Sequence, residues 1–198
     1  MTHLIFNPYW HVPQSIAVNE ILPALRKDPA YLRKESMKVF HGWAQPLDSV
    51  DPATIDWSRV PAENFPYRFR QEPGSGNALG RVKFMFPNKH NVYLHDTPAK
   101  NLFARAARDF SHGCIRLSRP LELAEYLLRD QGEWNAQRIA DAVDGGAQQT
   151  VPLADSWPVH LLYWTTWVGP RGEVHFRPDV YGRDERLAGA LYNPGTKG

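Results

Sequence analysis

The chain has 198 residues, 23 Lys and Arg against 21 Asp and Glu, and a formal net charge of +2. Its basic residues are dispersed, which excludes a phosphate-tracking nucleic-acid surface. The single cysteine excludes an internal disulfide and a CxxC zinc pair, and no apolar run reaches the ~18 residues of a membrane span. At 42% hydrophobic and 22% charged the composition is that of a globular protein long enough for one core. The start, Met1-Thr2-His3-Leu4-Ile5-Phe6, has neither the basic opening nor the long apolar stretch of an export signal.

In chain order, Leu4 to Phe6 reads as a short strand stopped by Asn7-Pro8. Ser15 is placed to cap a helix through Ile16, Ala17, Ile21 and Leu22, which Pro23 should end or bend. Asp28-Pro29 starts another, with Tyr31 and Leu32 on its apolar side. Met37 to Trp43 is strand-like. Residues 46–66, rich in Pro, Asp, Ser and Asn, read as loop with at most a helical turn. Tyr67-Arg68-Phe69-Arg70 and Arg81-Val82-Lys83-Phe84-Met85-Phe86 alternate with period two, the mark of half-buried strands, and the Gly74 to Asn77 stretch between them is a turn. Asn91 to Leu94 is a short strand that delivers His95 at its end.

Beyond the cysteine, Leu121, Leu123, Ala124, Leu127 and Leu128 mark a helix from about Pro120 to Arg129. A second, from about Asn135 to Val143, stops at Gly145-Gly146. Val159 to Val168 is aromatic and β-branched. Gly169-Pro170-Arg171-Gly172 turns it into Glu173 to Arg177 as a hairpin. The fold class is mixed α+β and β-rich.

A thiol attacks a carbonyl as a thiolate, so a catalytic cysteine needs a base or cation nearby and donors for the oxyanion. His95 lies 114 − 95 = 19 positions before Cys114, His112 two before it, and Gly113 permits a tight turn of the backbone. Taken singly, each has a plain reading: a buried thiol, a solvated strand-end histidine, a loop histidine, a turn. A zinc site of His95, His112 and Cys114 is weak, because 112 and 114 leave one residue between them and no fourth ligand is obvious. The remaining histidines (His3, His11, His41, His90, His160 and His175) read as surface or structural.

Tyr93-Leu94-His95-Asp96-Thr97-Pro98, then Phe103, then Ser111-His112-Gly113-Cys114-Ile115-Arg116-Leu117 resemble the signature of the L,D-transpeptidase (YkuD-type) catalytic domain. The resemblance extends to Asn7-Pro8-Tyr9-Trp10-His11-Val12-Pro13, Asp28-Pro29-Ala30-Tyr31-Leu32, Ile55-Asp56-Trp57 and Leu79-Gly80-Arg81-Val82-Lys83-Phe84, which are similar to the large capped subclass. It runs from about Leu4 to Tyr181. The resemblance implies one catalytic domain over 1–198, with a β-sandwich core, a helical lid insertion at about 14–62, and helices after the catalytic loop. It also implies that further N-terminal strands and an anchor precede the matched part in other members, so that this chain reads as N-terminally shortened.

The resemblance further implies acyl transfer from a peptidoglycan tetrapeptide stem with release of D-alanine, forming 3→3 cross-links. Cys114 is then the nucleophile, His95 the base and acid, and Gly113 with Cys114 the oxyanion donors; His112 shapes the loop. Tyr93, Arg116, Ser111 and Trp10 are expected to meet substrate. A main-chain carbonyl, rather than the Asp96 carboxylate, is expected to orient His95, since side chains adjacent along a strand point to opposite faces. No cofactor is implied. Partners are stem peptides and carbapenem-type β-lactams, with membrane attachment only through an N-terminal anchor, and the location is periplasm or cell envelope. Two alternatives use the same residues or the same fold: a cysteine carboxypeptidase on muropeptides, and a non-catalytic peptidoglycan-binding remnant.

Overall fold

A computed structural model describes residues 1–42, 48–106, 108, 110–111 and 113–192. Trp43, the expected end of one strand, and His112 lie outside the described residues. The sequence reading treats 1–198 as one domain; by its contacts the chain divides into two compact units, Met1–Pro158 and Val159–Gly198.

The first unit runs β1 (His3–Phe6), β2 (Trp10–His11), α1 (Gln14–Ile16), a π-helical turn (Ala17–Ile21), α2 (Leu22–Lys27), α3 (Tyr31–Lys34), β3 (Met37–His41) and β4 (Asp48–Val50). A 3-10 turn (Pro52–Thr54), β5 (Tyr67–Gln71), β6 (Val82–Met85), β7 (Leu94–His95) and a second 3-10 turn (Lys100–Ala104) follow. It closes with β8 (Ile115–Arg116), α4 (Pro120–Leu128), α5 (Ala136–Asp144) and β9 (Gln149–Pro152). The second unit holds β10 (Thr166–Val168), β11 (Val174–Phe176) and α6 (Asp184–Tyr192). The architecture is mixed α+β.

Five strands in the order β8-β7-β6-β1-β9 form the sheet that carries the site. All neighbours are antiparallel except β7 and β8. Period two divides its faces. Leu4, Phe6, Val82 and Phe84 are fully buried on one face, where Phe6 stacks on Trp134 at 5.6 Å between ring centroids. The other face carries a cross-strand row: Ile5 opposite Lys83, Lys83 opposite His95, His95 opposite Arg116.

Asn7 turns the chain out of β1 with φ 45° and is fully buried. Its Nδ2 donates to the carbonyls of Ala142 (2.9 Å) and Val143 (3.0 Å) at the end of α5, and its Oδ1 accepts from Arg81 Nε at 3.1 Å. It thus satisfies carbonyls that a helix terminus leaves open. Asn7→Ala strands these groups in the interior and is expected to cost about 2–3 kcal/mol, measured as the shift in urea unfolding.

A second sheet, β2-β5-β3-β4, backs onto the helical stretch. Its core joins Ile21, Leu22, Leu25 and Leu32 to Val39, Phe69 and Trp57. Arg26 ties helix to loop by donating to the carbonyls of Trp57 (3.3 Å) and Val60 (2.8 Å).

Local departures from expectation have physical causes. The first helix starts at Gln14 with Pro13 as its cap and no side-chain cap bond, and it passes through Pro23 without ending. The π-helical turn lets Leu22 N donate to Ala17 O, widening the helix just where Pro23 lacks an N–H. Within 46–66, read as loop, Asp48–Val50 pairs with β3 as an edge strand. Only its tip is half-buried, so no alternation marks it. β7 is shorter than expected because the Asn88 side chain takes up both the N–H (3.1 Å) and the carbonyl (2.7 Å) of Val92.

In the second unit, β10 and β11 form the expected hairpin, but 159–165 has no regular structure. Leu162 and Trp164 are more than 60% exposed there, so β-branched and aromatic content has no sheet to pack on.

Candidate active site

β7 and β8 lie side by side because Ile115 N donates to Tyr93 O (3.1 Å) and Leu117 N donates to His95 O (2.8 Å). That pairing sets His95 directly opposite Arg116 and brings Cys114, two residues before Arg116, level with the Tyr93 end of β7. A cavity of about 470 Å³ opens there, lined by Cys114, Gly113, Ser111, Arg116, His95, Tyr93 and Trp10. All the expected site residues within the described part of the chain therefore share one cavity. A second cavity of about 290 Å³ opens on Cys114, Ser111 and Arg116 from the side of Leu102 and Phe103. Cys114 is partly exposed, with its thiol directed to Asn91 O at 3.8 Å.

Gly113 has φ 137°, a conformation L side chains rarely adopt, and it turns the backbone directly before the thiol. The Ser111 hydroxyl donates to the Cys114 carbonyl at 2.6 Å, so it closes this loop as well as lining the cavity. Among the described residues no acceptor is bonded to the N–H of Cys114.

His95 is buried, and its Nδ1 donates to the main-chain carbonyl of Asp96. A carbonyl only accepts, so the proton sits on Nδ1 and Nε2 keeps the lone pair. The orienting group is thus the carbonyl expected from the sequence. The Asp96 carboxylate is occupied otherwise: it accepts from Arg81 N (2.9 Å) and Thr97 N (2.7 Å) and pairs with Lys100 Nζ at 2.6 Å. Burial first, and then the charge of Arg116, hold the His95 ring below the ordinary histidine value despite its bond to the Asp96 carbonyl.

A ring kept neutral in the fold but free to protonate when unfolded draws stability away as acid is added. Well above pH 6.5 both states hold the ring neutral and His95 costs nothing; stability begins to fall as the pH nears that value. Below it the unfolded chain binds the extra proton, so stability is expected to fall until the folded value is passed. The contribution is read as the difference in pH dependence between the native protein and His95→Gln.

Tyr93 packs edge-on to His95, with ring centroids 5.9 Å apart. Burial, a negative charge on Cys114 and hydrogen bonding to its sulfur raise the phenol well above its ordinary value, so it stays a donor throughout the working pH range. Arg116 Nε is buried without a hydrogen-bond partner among the described residues, which suits a group that meets an anionic ligand.

Glu20, from the π-helical turn, and Asn91 also line the cavity, as does His90, which is exposed at the surface as the sequence suggests. No local pattern marks them. Among the described residues no group of three His, Cys, Asp or Glu side chains is placed to hold a metal ion.

The sequence profile of the L,D-transpeptidase catalytic domain (YkuD) matches residues 1–153. A Haemophilus influenzae protein, whose name assigns it provisionally to the L,D-transpeptidases, is 34% identical over 187 residues, which is 94% of this chain and 37% of that protein. The chain thus spans little more than a third of the length of that relative. Epoxide hydrolase 1 of Sus scrofa is 26% identical over 99 residues, 46% of this chain and 22% of its own, and that of Oryctolagus cuniculus is 28% identical over 86 residues, 43% and 19%. These two partial likenesses carry no functional reading.

Proposed function

Since the chain belongs to the L,D-transpeptidase family, whose members act on peptidoglycan peptides, we propose that it is a cysteine acyltransferase that forms 3→3 cross-links with release of D-alanine. The observation that carries this reading is the convergence of Cys114, His95 and Tyr93 on one open cavity. No described helix is long and apolar enough to cross a membrane. We place the site of action in the cell envelope, with the periplasm as the compartment.

His95 Nε2 takes the thiol proton, and the Cys114 sulfur attacks the carbonyl carbon of the bond before the terminal D-alanine. The oxyanion is held by the N–H of Cys114, with that of Gly113 beside it. As the C–N bond breaks, the imidazolium returns its proton to the departing amine, leaving a thioester on Cys114. The amine of a neighbouring diaminopimelate then attacks the thioester, gives its proton to His95, and expels the sulfur. Tyr93 and Trp10 wall the donor peptide, and Arg116 receives a stem carboxylate. His112, outside the described residues, is assigned to shaping the loop, and residues 14–62 to a lid over the donor peptide.

Transfer rather than hydrolysis is favoured by one observation: Cys114 faces two cavities, one for each peptide of a two-substrate reaction. The test is incubation with a disaccharide-tetrapeptide, with and without an acceptor amine. D-Alanine release, an intact-mass adduct equal to substrate less D-alanine, and a cross-linked product only with acceptor are expected. Tripeptide as the sole product in both arms indicates a carboxypeptidase, and binding without release indicates a remnant of the fold. A carbapenem is expected to acylate Cys114 in the same assay.

Because the base form of His95 is required, the acid limb of kcat/KM is expected to lie below pH 6.5, displaced downward by burial of the ring. A pH–rate profile from 5 to 8 reads this directly.

A further inference from the structure

We infer that Arg108 is a specificity-determining residue: in the second cavity it holds the carboxylate that stands beside the reacting amine, first that of the donor's terminal D-alanine and then that of the acceptor. The inference rests on the transferase reading of Cys114. The end that leaves and the end that enters are chemically alike, each a nitrogen on a carbon that also carries a carboxylate. Bond making retraces bond breaking, so the acceptor nitrogen attacks the acyl carbon from the place the alanine nitrogen left. The N–C bond forms as the C–S bond breaks, and the amine proton passes by way of His95 to the sulfur. One subsite therefore serves both ends in turn, and it needs a cation near the thiol.

The second cavity meets that need. At about 290 Å³ it is small against the roughly 300–1,000 Å³ of sites that enclose a drug-sized ligand, so it suits the end of one residue rather than a stem. Ala99, Leu102, Phe103 and Ile115 give it apolar walls, and Arg108 and Arg116 are its cations. Glu20, the one carboxylate that lines either cavity among the described residues, belongs to the first. Arg116 lines both cavities and is assigned to the stem carboxylate of the donor, whereas Arg108 lines the second alone. The Arg108 Nε donates to the Arg105 carbonyl at 2.9 Å, which anchors the guanidinium by its inner nitrogen. Among the described residues nothing engages its outer pair of nitrogens, the fork that matches a carboxylate. Arg105 in turn lies over the Phe110 ring at 5.5 Å, and Phe110 and Ser111 line both cavities where they meet at Cys114. An amine entering from the second cavity thus comes to the sulfur that His95 shares from the first.

The test compares each substrate with its carboxamide. Release of the last residue is measured from disaccharide-tetrapeptides ending in D-alanine or D-alaninamide. Cross-linking is measured onto an isotope-labelled disaccharide-tripeptide whose diaminopimelate side chain ends in carboxylate or carboxamide. The native protein is expected to prefer the carboxylate in both pairs by about fivefold in kcat/KM, and Arg108→Met to lose both preferences. Arg108→Lys keeps the charge without the fork and is expected to retain about a twofold preference. Ratios taken within one variant cancel general damage to the fold, and Arg108→Gln is read the same way should the Met variant not fold. A preference that survives in Arg108→Met overturns the inference, as does a native protein without one, or the loss of one preference but not the other. A native protein that releases D-alanine without cross-linking sinks the transferase reading, and the first pair then decides the inference. Where nothing is released, binding of the two tetrapeptides by calorimetry decides it: a carboxylate preference lost in Arg108→Met upholds the site, and an equal preference in both proteins overturns it.

Discussion

Cys114→Ala is expected to lower D-alanine release by at least about four orders of magnitude, with the unfolding curve left in place. The two halves follow from different observations. The sulfur is the atom that faces both cavities, and without it no thioester forms, so residual release falls to what binding and the oxyanion donors supply alone. Its structural ties are slight: partial exposure, one long contact to Asn91 O at 3.8 Å, and the half-buried Tyr93 phenol beside it. Removing it leaves little cavity, and the Tyr93 phenol it frees lines the open cavity. His95→Ala is expected to lose comparable activity because the two groups act as a unit. It should also cost stability, since His95 is buried and its loss strands the Asp96 carbonyl. Steady-state release paired with thermal unfolding separates the two variants, and a Cys114→Ala protein that still turns over would remove the nucleophile from the account.

Gly80→Ala carries the second large effect, although Gly80 touches no substrate. Its φ is +61°, and an added Cβ would sit 2.4 Å from Cγ and Oδ2 of Asp96. That carboxylate cannot yield, because the main-chain N–H groups of Arg81 and Thr97 and the Lys100 ammonium hold it. The strain of the left-handed backbone and the displaced Asp96 together are expected to cost about 3–5 kcal/mol. Asp96 also presents the carbonyl that fixes the His95 tautomer, so activity should fall by at least about a hundredfold in whatever protein folds. Chemical unfolding and kcat at low temperature read the two effects. Normal stability and full activity in Gly80→Ala would show that the Asp96 cradle has room this geometry denies.

The sequence makes the site more legible than the frame around it. Motif spacing points to Cys114 and His95, which the fold brings to one cavity, and the two-residue offset puts Tyr93 on the His95 side. The alternation in Tyr67–Gln71 and Val82–Met85, the apolar spacing in Pro120–Leu128 and the Asn135 cap on α5 are all visible locally. What escapes is whatever depends on register. Lys83 is plainly on the outer face of its strand, yet nothing in the chain says that His95 is its cross-strand neighbour. β9 escapes for a related reason: Gln149–Pro152 ends in proline and has one buried side chain, so only its pairing with β1 defines it. α6 lacks any buried residue among those described, and its pattern had no core to point at.

Cys114, the proposed nucleophile, leads directly into β8, and His95, the proposed base, ends β7 beside it; two main-chain hydrogen bonds join the two strands at the rim of the sheet. Their spacing is therefore fixed by the ~4.8 Å interval between strands, not by the ribbon of residues 96–113 that connects them. Its middle, residues 101–110, can be lengthened, shortened or exchanged without pulling the pair apart, provided Asp96 and Lys100 at one end and Ser111 to Cys114 at the other keep their contacts. New specificity can be grafted onto the connection while the chemistry beneath it stays put.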